Sequence, residues 1–162
     1  LVLLVFMNAF GSAAIAYFEA TIEAAVALVF LLPLIVASGG NAGSQSATLM
    51  VRALATGDVQ TKDWLKLWGK EFGVAFALGV TMAMAVSLVG VWRGGTELAA
   101  IVSMAMVCVV VVGSMVGMLL PFVLARFDLD PATASAPLVT SIADFFGIVI
   151  YFSIATAVIA NP

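Results

Sequence analysis

Asp144 stands well inside a mostly apolar run, with Pro137-Leu138-Val139 before it and Phe145-Phe146-Gly147-Ile148-Val149-Ile150 after it. A carboxylate at the centre of a hydrophobic helix costs about 2.5–3.5 kcal/mol on insertion scales, so such groups face a bundle interior or a water-filled cavity. At helical spacing its neighbours are Thr140, Gly147 and Tyr151, which make a stripe of small and polar residues. No base lies within an apolar run to neutralise it, and Arg52 is too close to a surface to be an obvious partner. Three states remain open: a protonated acid bonded to a neighbouring helix, a carboxylate paired with a mobile cation, or one hydrated in a pore.

A second polar feature is Ser38-Gly39-Gly40-Asn41-Ala42-Gly43-Ser44-Gln45-Ser46-Ala47-Thr48, small or polar throughout. It lacks the GK[ST] ending of a phosphate loop. Polar backbone at membrane depth is tolerated only where protein buries it or water lines it. The segment is therefore either a close-packed crossing or cap, or the wall of a hydrophilic pathway, and we adopt the second as the working expectation. A third feature is Glu19 with Glu23, four residues apart and so on one helix face, where they suit a cation-attracting outer mouth. Glu97, Asp128 and Asp130 read as loop residues.

Composition narrows the chemistry. The 162 residues are 64% hydrophobic and 9% charged, against about 45–50% and about 25% in soluble domains, so apolar surface must face lipid. The sequence contains no His, which removes the commonest general base and metal ligand. Nine acids against six bases leave no nucleic-acid footprint. The one Cys, Cys108, has no intrachain partner and is expected to be a small buried hydrophobe. The chain reads as no enzyme; a hydrolase built on two Asp144 copies has no other residue to activate water.

The elements that must position these residues are α-helices, since the apolar runs are long and continuous. Five spans are expected: Leu1–Phe18, Ile22–Ser38, Phe72–Trp92, Leu98–Leu124 and Pro137–Ala160. The chain opens at Leu1 without an initiator Met, so it reads as a piece of a longer one and the first span as lacking its start. Arg52, Lys62, Lys66, Lys70 and Arg126 fall on one side of the membrane and only Arg93 on the other. The positive-inside rule then expects a cytoplasmic N-terminus and an outer C-terminus in the cell's inner (plasma) membrane. Residues 61–72 form an amphipathic pattern, lysines on one side and Trp64, Leu65, Trp68 and Phe72 on the other, suited to a helix lying at the interface. Pro33 and Pro121 are candidate kinks, and Gly113-Ser114-Met115-Val116-Gly117 permits close helix approach.

One carboxylate per chain makes a poor ion site, and five helices leave little room for a private pathway. A two-fold homodimer in the lipid bilayer would set two Asp144 carboxylates and two polar segments around one axis. An acidic ring repels anions and favours dications. Oxygen ligands without imidazole or thiolate suit Mg²⁺, Ca²⁺ or Mn²⁺, and Mg²⁺, slow to dehydrate, would be held through its waters. The alternative is a proton-coupled divalent-cation carrier in which Asp144 titrates. A third class is an anchoring subunit without a pore.

Gly39-Gly40-Asn41-Ala42-Gly43-Ser44-Gln45-Ser46-Ala47-Thr48, followed by Arg52-Ala53-Leu54-Ala55-Thr56-Gly57-Asp58, resembles the signature of the MgtE family of magnesium channels. Pro137-Leu138-Val139, Ile142-Ala143-Asp144, Gly147 and Ile150-Tyr151 resemble that family's last membrane helix. Phe18-Glu19 with Glu23-Ala24, and Leu119-Leu120-Pro121-Phe122 with Asp130-Pro131, match in the same order. The resemblance implies a homodimer of five helices per subunit, a single pore domain over residues 1–162, and a pore between subunits lined by spans two and five. It implies that Asp144 is the pore aspartate holding a hydrated Mg²⁺, with Ala136, Thr140, Gly147, Asn41 and Ser44 along the pore. Ala136 stands where some members have Asn, Thr140 where some have Ala, and Ser44 where some have a second Asn. The cytosolic N-terminal and CBS domains usual in the family are not in this sequence.

Overall fold

The computed structural model describes residues 2–134 and 136–160, without the side chains of Leu3 and Thr61. Helix α1, Val2–Tyr17, stops at Phe18, and the short helix α2, Glu19–Ala24, follows. Ala25 then leaves helical geometry at φ −147°, ψ 78°. Helix α3, Ala27–Thr56, ends at Gly57, whose φ of 76° gives the left-handed cap that a residue without Cβ adopts freely. A 3₁₀ turn, Thr61–Asp63, leads into helix α4, Trp64–Arg126, and a second, Pro131–Thr133, into helix α5, Ala136–Ile159. No strand occurs among the described residues.

Helix α4 is two arms joined by a reversal at Gly94 and Gly95. Gly95, at φ 77° and ψ −167°, adopts a conformation open essentially to glycine alone. The contacts step in opposite directions along the arms: a Cβ on Gly90 would meet the Ala99 Cα at 2.6 Å, one on Gly79 the Val107 Cα at 3.1 Å, and Ser103 donates to the Ala83 carbonyl. The arms, 64–93 and 96–126, are therefore an antiparallel pair. Helices α3, α4 and α5 are each long and apolar enough to cross a membrane, α4 has the length of two crossings, and α1 is a shorter apolar helix of 16 residues.

Some expectations need correction. The second span was expected to run from Ile22 to Ser38, with the small, polar run completing its crossing; span and run are one 30-residue helix, which starts at Ala27 and not at Ile22. The hydroxyls of Ser38, Ser44 and Thr48 turn back onto carbonyls four residues earlier, at 2.7, 2.9 and 2.8 Å, and the glycines are buried in helix contacts. Packing thus overrides the poor helix propensity of Gly and Ser. The amphipathic stretch 61–72 is not a separate interfacial helix: from Trp64 it runs straight into the first arm of α4. That arm's 30 residues span about 45 Å at 1.5 Å per residue, longer than the roughly 30 Å hydrocarbon core, so its lysine-bearing start extends past it.

The core joins α3, the second arm of α4 and α5 through Leu28, Ile35, Val102, Val109, Tyr151 and Phe152, all nearly inaccessible. Tyr151 donates from its hydroxyl to the Leu28 carbonyl at 3.0 Å. Cys108 was expected to be buried, but its side chain is exposed: Ala105, Met106, Val109 and Val110 take the inward face of the arm and leave residue 108 outside.

Candidate functional site

Glycines set how α3 sits in the bundle. Gly39 and Gly43 on α3 meet Gly113 and Gly117 on the second arm of α4, in the same order, so these two stretches run parallel. A Cβ on Gly43 would lie 2.7 Å from the Gly113 carbonyl oxygen, and one on Gly117 would fall on the Gly43 carbonyl. The small residues of the polar run thus have two uses. Gly39 and Gly43 make a close-packed crossing. The opposite face presents Asn41, Gln45, Thr48 and Arg52 as exposed side chains, with Ser44 half-buried at its edge. The two readings of this segment describe different faces of one helix.

Helix α5 crosses α3 in the other direction. Gly40 is where Asp144 approaches: a Cβ there would stand 3.1 Å from Asp144 Oδ1 and 3.3 Å from Thr140 Cγ2. Asp144 and Thr140 are both half-buried against this glycine. The Thr140 hydroxyl donates to the Ala136 carbonyl at 2.9 Å, which leaves an oxygen lone pair beside the carboxylate one turn away. Among the described residues, no hydrogen-bond donor or base meets the Asp144 carboxylate, and no cluster of three acidic or thiol side chains forms.

The predicted stripe on α5 divides between two environments. Ala136, Thr140 and Asp144 follow one another at four-residue intervals, about 6 Å of rise each, with Ala136 exposed. Gly147 is buried, 3.4 Å from Val109 and 3.6 Å from Val36 by its added Cβ, and Tyr151 is sealed in the core. The structure therefore brings Asp144, Thr140, Gly40, Asn41 and Ser44 to one neighbourhood and turns Gly147 into the packing behind it. Glu19 and Glu23 are exposed on α2, where Thr21 and Thr156 share a 2.7 Å hydrogen bond. Twelve residues of α5 separate Thr156 from Asp144, about 18 Å along the axis.

One polar contact was not anticipated. Glu71, on the first arm of α4, accepts a hydrogen bond from the buried Ser46 of α3. Spacing gives no sign of this contact, since the partner lies 25 residues away.

The sequence model of the family described as MgtE, divalent cation transporter, matches residues 32–154. This chain belongs to the MgtE family. Proteins called magnesium transporter MgtE are similar to it along nearly its whole length. The one from Thermus thermophilus is 40% identical over 155 residues, 96% of this chain and 34% of that protein. The one from Bacillus subtilis is 32% identical over 160 residues, 98% of this chain and 36% of that protein. The chain thus spans about a third of the length of these relatives. The family match begins within α3 and ends within α5, so it takes in Asn41, Ser44, Glu71 and Asp144, while Glu19 and Glu23 fall before it.

Proposed function

We propose that this chain is the membrane pore of a magnesium channel, in which two copies face each other across a two-fold axis and share one pathway. The observation that carries the proposal is the Asp144 carboxylate, half-buried beside Gly40 in a membrane helix and without a donor or base among the described residues. A lone carboxylate at that depth is unfavourable by about 2.5–3.5 kcal/mol, and a cation with its water shell relieves it. The exposed face bearing Asn41, Gln45 and Thr48 is likewise unsuited to lipid. Apposing two such faces gives a wet wall with two carboxylates, suited to a hydrated dication. The similar proteins are named magnesium transporters, which favours Mg²⁺.

In this reading Asp144 holds the ion's waters, with Ala136, Thr140, Asn41 and Ser44 along the pathway and Gly147 as packing. Glu19 and Glu23 mark the outer end, the N-terminus is cytoplasmic, and the membrane potential drives inward flux at about 2.3 kcal/mol per charge per 100 mV. The test is Mg²⁺ uptake by proteoliposomes containing wild type or Asp144→Asn. At least a tenfold drop is expected in the variant; equal uptake would remove the site. Collapse of the wild-type flux on abolishing a proton gradient would replace the channel with a proton-coupled carrier.

A further inference from the structure

Away from the Asp144 site, the 3₁₀ turn before α4, the first residue of α4 and its last two turns border a cavity of about 480 Å³ lined by Lys62, Trp64, Leu119, Phe122, Val123 and Arg126, together with Ala125. Its chemistry is divided. Leu119, Phe122, Val123 and Ala125 supply an apolar wall on the membrane side. Lys62 and Arg126, both exposed, supply two positive charges at the base-rich end of the arms. The Trp64 indole lies at the boundary, the depth at which Trp is enriched. No lining residue is acidic; of the nearby carboxylates, Asp63 accepts from the Gln60 N–H at 3.1 Å and Asp130 from the Ala132 N–H at 2.9 Å, and Asp128, two residues beyond Arg126, is exposed.

We propose that this cavity is a site for one anionic phospholipid, its phosphate between Lys62 and Arg126 and the upper part of an acyl chain along Leu119, Phe122 and Val123. Basic pockets between membrane helices at the base-rich face recognise acidic headgroups. Arg126 is the last residue of its helix and exposed, where a basic side chain also suits the negative end of the helix dipole. The apolar wall argues for a lipid over a soluble phosphate, because a small anion would leave that wall wet. The site owes nothing to the ion pathway and can fail or stand without it.

The test uses a Trp68→Phe, Trp92→Phe background, so that Trp64 is the one indole left, reconstituted with phosphatidylglycerol or phosphatidylcholine brominated on the acyl chains. Trp64 is expected to be quenched more by the brominated phosphatidylglycerol. A basic side chain at a membrane surface is worth about fivefold in acidic-lipid binding, so Lys62→Gln with Arg126→Gln should lower the preference by about 25-fold. Lys66→Gln with Lys70→Gln, which removes the same charge from residues outside the cavity, should change it less than twofold. An equal loss in both pairs would mean diffuse surface charge and overturn the site. So would the absence of any preference in wild type, as when another segment of protein fills the cavity. Glycerol phosphate at millimolar concentration should leave the quenching unchanged; relief of quenching would assign the cavity to a soluble phosphate and refute the lipid.

Discussion

Replacing Gly117 by Ala tests the parallel contact that fixes α3. Its Cβ would fall on the Gly43 carbonyl oxygen, 2.6 Å from the Gly43 carbonyl carbon and 2.8 Å from its Cα. All of these are backbone atoms of a buried helix, where ordinary contacts are 3.4–4 Å, so no side chain can swing aside. The two helices must part by roughly 1 Å, and overpacking of this kind costs about 1–3 kcal/mol. Gly73→Ala is the control: nothing stands within 4 Å of its Cβ, and Ala exceeds Gly as a helix former by about 0.8–1.0 kcal/mol. The helix-forming gain is common to both variants, chemically identical and both in α4, so they should differ by the overpacking alone, about 1–3 kcal/mol in unfolding free energy. Unfolding in mixed micelles with increasing dodecyl sulfate, followed by circular dichroism, reads the difference. Gly117→Ala as stable as wild type, or Gly73→Ala equally destabilised, would refute the glycine contact as the determinant of the crossing.

Two further expectations concern positions away from the proposed pathway. Gly95→Ala puts a Cβ on a residue at φ 77°, ψ −167° and should lower stability by about 1–3 kcal/mol, read in the same micelle titration, although nothing crowds the site. Glu71→Ala strips the buried Ser46 hydroxyl of its acceptor and should cost about 1–3 kcal/mol; Glu71→Gln keeps a carbonyl acceptor and should recover most of it, whereas equal loss in both would show that the charge, not the hydrogen bond, matters.

The apolar runs around residues 72–92, 98–124 and 137–160 were legible in the sequence because twenty-residue hydrophobic stretches admit few other forms. Asp144 was legible for the complementary reason, as a costly residue in such a run. The polar run from Ser38 was harder. Local propensity argues against helix for Gly-Gly-Asn-Ala-Gly-Ser, and only the Gly113 and Gly117 surface, some seventy positions later, makes the helix favourable there. The same holds for Glu71, whose partner Ser46 is set by tertiary contact and not by spacing. Gly147 shares a helical stripe with Asp144, but periodicity cannot say which side of a stripe meets Val36 and Val109. The continuity of α4 through residues 64–93 escaped notice because the lysine–tryptophan pattern of an interfacial helix and the first turns of a long tilted one are alike.

The reversal at Gly94 and Gly95 bears on how the chain reaches its place during synthesis. With only two non-helical residues between the arms, the first cannot settle across the bilayer while the second waits at a distance. Arms joined this closely favour joint insertion as a helical hairpin, in which the Gly90–Ala99 and Gly79–Val107 contacts of the folded chain can form. In the proposed orientation Arg93 and Glu97, which flank the bend, would be carried across in the same event, each opposed by about 2.5–3.5 kcal/mol at mid-membrane. The apolar length of both arms supplies the driving force, so shortening either one should leave the hairpin tip stranded on the side of synthesis.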